Sequence, residues 1–224
     1  MKMFNTVSVS ALALSFALGF AGPLTALAAT SPSLGAAATY GVLSSTYTNT
    51  TVTTINGDVG FTTGPAVAPL GVHTNYGSGA PYATAGTDQA SALSNLNGQA
   101  CTFTFAPGAI DLALDTTHGP IGVYVPGVYC TSGAASIGTA GLTISGSGTY
   151  IFRIDGALTS VANSAVTLAG GASACDVFWT PTAATTLGAN STFVGTNVDT
   201  SGITIGSTVT WTGSALAFGG TVTT

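Results

Sequence analysis

The chain has 224 residues and is 46% hydrophobic but only 4% charged, with Lys+Arg 2 against Asp+Glu 7. An ordinary soluble domain is about 25% charged, so this one must meet a partner chiefly with methyls and hydroxyls. Nucleic-acid binding needs clustered Lys and Arg to neutralise phosphates, and phosphate-cradling enzymes usually need a cation as well; both classes are set aside.

Residues 1–28 read as an export signal. Lys2 supplies a small basic start, Val7 to Phe20 form an apolar run, and Ala26-Leu27-Ala28 fits an A-x-A cleavage site before Ala29-Thr30. The run is shorter than the roughly 20 residues a bilayer requires, so a membrane anchor is the weaker reading, and no later stretch is long enough to span. The expected product is a secreted, extracellular monomer in which residues 29–224, undivided by any linker composition, form one domain. In that compartment Cys101, Cys130 and Cys175 allow one disulfide and leave one thiol. Cys175 precedes the apolar Val177-Phe178-Trp179 and is expected to be buried, which makes Cys101–Cys130 the expected bridge.

A first strand set is predicted from Tyr40 to Val59. The Gly/Pro-rich stretch after it, about 61–81, reads as an irregular cap over an open end of the core. One helix is predicted at about 84–100: Thr87 serves as N-cap, Asp88 lies in the first turn, and Ala90, Leu93, Leu96 and Ala100 recur at helical spacings. Farther on, Asp111 and Asp115 flank a short apolar run before His118, a weak signal for acid–base chemistry. With only His73 and His118 and no CxxC spacing, no metal or other cofactor is expected. Arg153 is expected to pair with Asp155 or another Asp.

The second half repeats itself. Val161-Ala162-Asn163-Ser164-Ala165-Val166 aligns with Gly188-Ala189-Asn190-Ser191-Thr192-Phe193, and that with Gly206-Ser207-Thr208-Val209-Thr210-Trp211, at offsets of 27 and 18 residues. Steps of this size signal a solenoid whose units bury their apolar faces only against neighbours. Within each unit the period is two, as in strands with one face inside and one outside, and β-branched Thr suits such strands. Short strands with Gly corners at this spacing describe a β-helix. Tyr150-Ile151-Phe152-Arg153-Ile154 and Val177-Phe178-Trp179 break the alternation. A wall apolar on both sides must be covered on its outer side too, and the helix is its expected cover, laid against Ile151 and Phe178.

Several stretches resemble one known family: Leu34-Gly35-Ala36-Ala37-Ala38-Thr39-Tyr40-Gly41-Val42-Leu43, Ile55-Asn56-Gly57-Asp58-Val59-Gly60, Pro126-Gly127-Val128-Tyr129, Tyr150 to Ile154, and Ala174-Cys175-Asp176-Val177-Phe178-Trp179. They are similar to the signature stretches of secreted ice-binding proteins of the DUF3494 type, in the same order and over nearly the whole mature chain. The resemblance implies a mainly β fold: a discontinuous right-handed parallel β-helix, triangular in section, with one α-helix packed along a face and an irregular cap. It also implies an antifreeze function. An ice crystal surface would be the partner, bound by a flat face of Thr, Ser, Ala and Gly clear of the helix, without turnover.

On this reading Thr53, Thr192 and Thr210 form one outward rank and Thr143, Thr167 and Thr212 a second, with Val194 beside them and Ser207 at the corner. The family's looser T-A/G-x-T/N pattern is imperfect here: Thr50-Thr51-Val52-Thr53 lacks the small second residue, and Ala162 to Ala165 lacks the hydroxyls. A rival set, Thr159, Thr186 and Thr204, lies on the next strand of the same units and ranks second. Asn49-Thr50-Thr51 and Asn190-Ser191-Thr192 are glycosylation sequons bordering the preferred face. The alternative function is a secreted β-helix that binds or degrades polysaccharide, which would require clustered acids with basic and aromatic partners. The repeats offer only isolated Asp.

Overall fold

Parallel strands dominate residues 28–224, which the computed structural model describes; the expected export signal lies outside the described residues except for Ala28. Strands β1 (Tyr40–Thr48), β2 (Thr54–Gly60) and β3 (Leu70–Tyr76) precede helix α1 (Tyr82–Gly98). The chain then winds in turns of three strands. These are β4 (Phe103–Thr104), β5 (Ile110–Asp111) and β6 (Val123–Tyr124); β7 (Gly127–Thr131), β8 (Ala135–Ile137) and β9 (Leu142–Ser145); and β10 (Tyr150–Ile154), β11 (Leu158–Ser160) and β12 (Val166–Ala169). Two more turns follow: β13 (Val177–Pro181), β14 (Thr185–Leu187) and β15 (Thr192–Val194), then β16 (Thr196–Val198), β17 (Ile203–Ile205) and β18 (Thr210–Thr212). β19 (Ala215–Thr223) ends the series.

Equivalent strands of successive turns pair, building three walls. The first is β4-β7-β10-β13-β16, the second β5-β8-β11-β14-β17, and the third is split into β6-β9-β12 and β15-β18. β19 bends round a corner, pairing Ala215 and Leu216 with the first wall and Val222 and Thr223 with the second. The next rung comes from the other end of the chain: β1 lies parallel to β19, from Val42↔Ala215 to Thr48↔Thr223. Beyond it stack β2 and β3. The solenoid is therefore discontinuous, and α1 returns the chain from its upper rungs to β4. Its 17 residues span about 25 Å at 1.5 Å each, close to five rungs of about 4.8 Å.

Apolar residues fill both sides of the first wall. Inside, Tyr129, Phe152 and Trp179 stack in a column, Phe152 and Trp179 with ring centroids 4.1 Å apart. Outside, Val128, Ile151, Phe178, Val198 and Leu216 are buried beneath Tyr82, Ala85 and Leu96 of α1. This accounts for the strands that are apolar in both registers.

Four local expectations are corrected. The helix begins at Tyr82, behind Pro81 and without a side-chain cap. Thr87 is inside it, bonding Ala83 O at 3.3 Å, and Asp88 accepts from Ala36 N at 2.7 Å, tying down the N-terminal segment. Its buried stripe is Tyr82, Ala85, Gln89, Ala92 and Leu96, with Ala90 and Ala100 exposed, because close packing on Phe218 favours Gly86 and a Gln89 whose Oε1 accepts from Phe218 N. The segment 61–81 contains a paired strand, β3. Cys101 and Cys130 are joined, but Cys175 is exposed, carried outward on a short 3-10 turn. Arg153 meets no Asp: its Nη1 donates to Gln99 O at 2.8 Å, placing the cation at the carbonyl end of α1, where the helix dipole favours it.

Candidate functional site

The third wall carries most of the Thr ranks that the repeats align. Thr192 pairs with Thr210, Val194 with Thr212 and Thr167 with Thr143, and a single bridge, Ala165↔Thr192, links its two sheets. Thr167, Thr192, Thr210, Thr212 and the corner residue Ser207 are exposed, and Thr143 is half-buried. Three features break this surface. Val194 is buried at 5% exposure. The Thr143 and Thr167 hydroxyls bond each other at 3.3 Å, and Thr167 also bonds Leu142 O. Leu168 and, directly after β6, Val125 stand exposed among the hydroxyls.

Thr53 does not join the rank. It lies outside the strands and is half-buried, its hydroxyl donating to Asn49 Oδ1 at 3.1 Å and to Thr224 Oγ1 at 3.4 Å. Among the described residues no strand pairs with β18 on the side away from β15, and Thr53 is not in its sheet.

The second wall is regular. Its register lines up Asp111, Ser136, Thr159, Thr186, Thr204, Thr223 and Thr48, strand after strand. Thr48, Thr159, Thr186 and Thr204 are exposed. Among the described residues none of these four hydroxyls bonds another protein group, whereas Ser136 Oγ donates to Ile110 O at 3.3 Å. Small residues flank most of the column's central rungs: Ala134, Ala157, Ala184 and Gly202 lie two positions before it and Gly138, Gly188 and Gly206 two positions after, while half-buried Val161 holds that place beside Thr159. Glycine is required at these corners, since a Cβ on Gly188 would fall 2.4 Å from Ala162 N and one on Gly206 2.8 Å from Ala189 N. The same absence of side chains keeps the wall level beside Thr186 and Thr204. Thr48 and Thr223 escape a reading of the sequence because they enter the column only through the β19–β1 junction.

At the next corner Asn163, Asn190 and Thr208 share positive φ values of 62, 58 and 58°. Asn tolerates this region; a β-branched residue there is an outlier. Asn190 is exposed and its Oδ1 accepts from the Thr208 hydroxyl. Asn49 is fully buried and its Nδ2 donates to Val67 O at 3.0 Å, so the fold leaves no room for a glycan there.

The weak acid–base signal resolves into a clasp. His118 Nδ1 lies 2.6 Å from Asp115 Oδ2 and Nε2 3.1 Å from Val123 O, with the ring stacked 4.1 Å above Tyr124. Both side chains are nearly sealed, at 1% and 8% exposure, so the pair offers no position for a substrate. Burial pushes the Asp115 carboxyl upward, but bonds from His118 and Thr117 outweigh it and hold the group below the usual carboxylate range. No group of three or more His, Cys, Asp or Glu that could hold a metal occurs among the described residues.

Known proteins with this arrangement share one description. The chain is 30% identical over 203 residues to an ice-binding protein of Flavobacterium frigoris (strain PS1), covering 82% of this chain and 71% of that protein. Its fold matches the crystal structure of an ice-binding protein from an Antarctic biological consortium with a TM-score of 0.77 and 27% identity, covering 90% of this chain and 91% of that one. An ice-binding protein from the Antarctic ascomycete Antarctomyces psychrotrophicus gives a TM-score of 0.71 and 25% identity, with 87% and 95% covered. The family profile described as Ice-binding-like matches residues 42–224, and the chain belongs to that family.

Proposed function

We propose that this protein is secreted and adsorbs to ice through its second wall, depressing the freezing point and inhibiting recrystallisation without turnover. The observation that carries this reading is the unbroken ladder from Ser136 to Thr48, in which the exposed Thr hydroxyls are free of internal bonds. Rungs about 4.8 Å apart set the hydroxyls in one line at a repeat comparable to those of an ice lattice, with Ala and Gly two positions to either side of Thr186 and Gly two positions to either side of Thr204. Each Thr offers a methyl that discourages ordinary hydration and a hydroxyl that anchors one water. Its stiff χ1 and the pairing beneath it leave little to be ordered on binding. The third wall, preferred from the repeats alone, ranks behind because it is split, carries buried Val194 and spends the hydroxyls of Thr143 and Thr167 internally.

A lone ice crystal cooled slowly in dilute purified mature protein tests the function. Faceted growth is the expected outcome. Growth as a smooth disc at every concentration removes the proposal.

A further inference from the structure

One corner behind the second wall is polar where the rungs below it are apolar. Asn197 stands in the column of Phe152 and Trp179, and Thr185 in that of Leu158. Asp199, two residues beyond Asn197, takes the place that Pro181 holds one rung below. All three residues are 0% exposed. Asn197 Nδ2 donates to Thr185 Oγ1 at 2.8 Å, and that hydroxyl donates to Asp199 Oδ2 at 2.9 Å. The other carboxylate oxygen accepts from Ser201 N at 2.6 Å and Gly202 N at 3.2 Å. Burying a carboxylate costs stability that an apolar residue would not.

The bonds lead to the wall. Thr185 is the chain neighbour of Thr186, and Ser201 and Gly202 form the corner entering β17, which carries Thr204. We infer that Asp199 is a positioning residue for the binding wall: it clamps β14 to the corner before β17 and so holds Thr186 and Thr204 in register while touching neither. This rests on the second-wall reading. A recognition surface has to be held to within about 0.5 Å by groups behind it; the Asp199 carboxylate, bonded on both oxygens in a low-dielectric interior, supplies that stiffness, while Asn197 Oδ1 has no partner among the described residues.

The test compares Asp199→Leu, Asp199→Asn, Thr185→Val and Leu96→Ala, the last weakening the chain through the helix on another wall. Thermal hysteresis is measured near the freezing point at matched concentration, with circular dichroism confirming that each variant is folded. Asp199→Leu is expected to lose hysteresis severalfold while amide exchange at Thr186 and Thr204 quickens. Asp199→Asn, which keeps an oxygen for the two amides, should recover most of the activity. Leu96→Ala should change neither readout. If Asp199→Leu does not fold, Thr185→Val removes the bond to Oδ2 together with the one accepted from Asn197 Nδ2, leaves the two backbone amides on Oδ1, and should lower hysteresis in the same direction. Full hysteresis in both Asp199→Leu and Thr185→Val, or an equal loss in Leu96→Ala, overturns the inference. Thr186→Tyr run alongside separates the two claims: if it leaves hysteresis intact, the wall is misassigned and the clamp falls with it. If it abolishes hysteresis while the Asp199 and Thr185 variants keep theirs, only the clamp is wrong.

Discussion

Thr186→Tyr is the most direct perturbation of the proposed surface. The ladder from Ser136 to Thr48 takes five rung steps, about 24 Å at about 4.8 Å each. A tyrosine at Thr186 leaves Ser136 and Thr159 on one side, about 5 Å of ladder, and Thr204, Thr223 and Thr48 on the other, about 10 Å. A ring standing proud of a level surface also lifts the crystal from the hydroxyls on both sides. Because Thr186 is exposed on a strand, the stability change should stay within about 0.5 kcal/mol. Thermal hysteresis measured by nanolitre osmometry should fall close to zero with an unchanged melting curve. Thr210→Tyr, the matching change on the third wall, should leave most of the activity. The reverse pattern, with Thr210→Tyr inactive and Thr186→Tyr active, would refute the assignment of the wall.

Three further changes probe the scaffold. Thr208→Asn replaces a β-branched residue at φ 58° with the residue that holds the equivalent corner at Asn163 and Asn190; relief of about 1 kcal/mol should raise Tm by about 2–4 °C, and an unchanged or lower Tm by calorimetry would count against strain there. Replacing Cys101 and Cys130 together with Ser opens a link of sequence separation 29, which by chain entropy should cost about 3–4 kcal/mol, read from urea unfolding; a loss below about 1 kcal/mol would show that the α1 packing alone fixes that end. For Asp115, a folded-state pKa held low means that its contribution is present above the ordinary carboxylate range and disappears as pH falls through the lowered value. Asp199, raised first by burial against partly offsetting bonds from Ser201, Gly202 and Thr185, has the opposite sign: its contribution grows as pH falls from its raised value toward the ordinary one. Stability measured across the acid range should therefore fall less steeply in Asp115→Asn than in the parent, and an identical acid limb would contradict the clasp.

The fold was legible where its signals are local. The doubly apolar Tyr150 to Ile154 and the alignment of Asn163 with Asn190 and Thr208 report on neighbouring turns, and they led to a solenoid with one covered wall; the triangular section came with the family resemblance, and Leu168, which alternation with Val166 would turn inward, is exposed. The pairing of β1 with β19 joins residues more than 170 positions apart, as in Val42↔Ala215, and leaves no periodicity to read. That junction lengthens the second wall by Thr223 and Thr48 and interrupts the third, so the ranking of the two surfaces could not be drawn from the repeats. Thr53 sits in a Thr-Val-Thr run that looks like its counterparts, but its hydroxyl turns to Asn49. Cys175 precedes a buried strand, yet the turn that carries it projects outward.

The scarcity of charge takes on a sharper meaning once each ion among the described residues is placed. Arg153 holds the end of α1, Asp88 holds Ala36, Asp115 is closed on His118, and Asp199 is sealed behind the second wall. Asp176 accepts from Ser31, away from the ladder, Asp155 at the corner of the first two walls accepts from Thr182, and Asp58 sits half-buried on β2 opposite Tyr40. Only Asp111 stands in line with the hydroxyls, at the end of the column, and its Oδ1 is folded back onto Ala113 N at 2.9 Å and Gly138 N at 3.0 Å. Between Ser136 and Thr48 the outward column therefore contains no ion that would keep its own hydration shell. A general bias toward low charge would scatter the remaining ions at random; here each is committed to a fold contact or lies off the ladder, as a surface that must order water without competing for it requires.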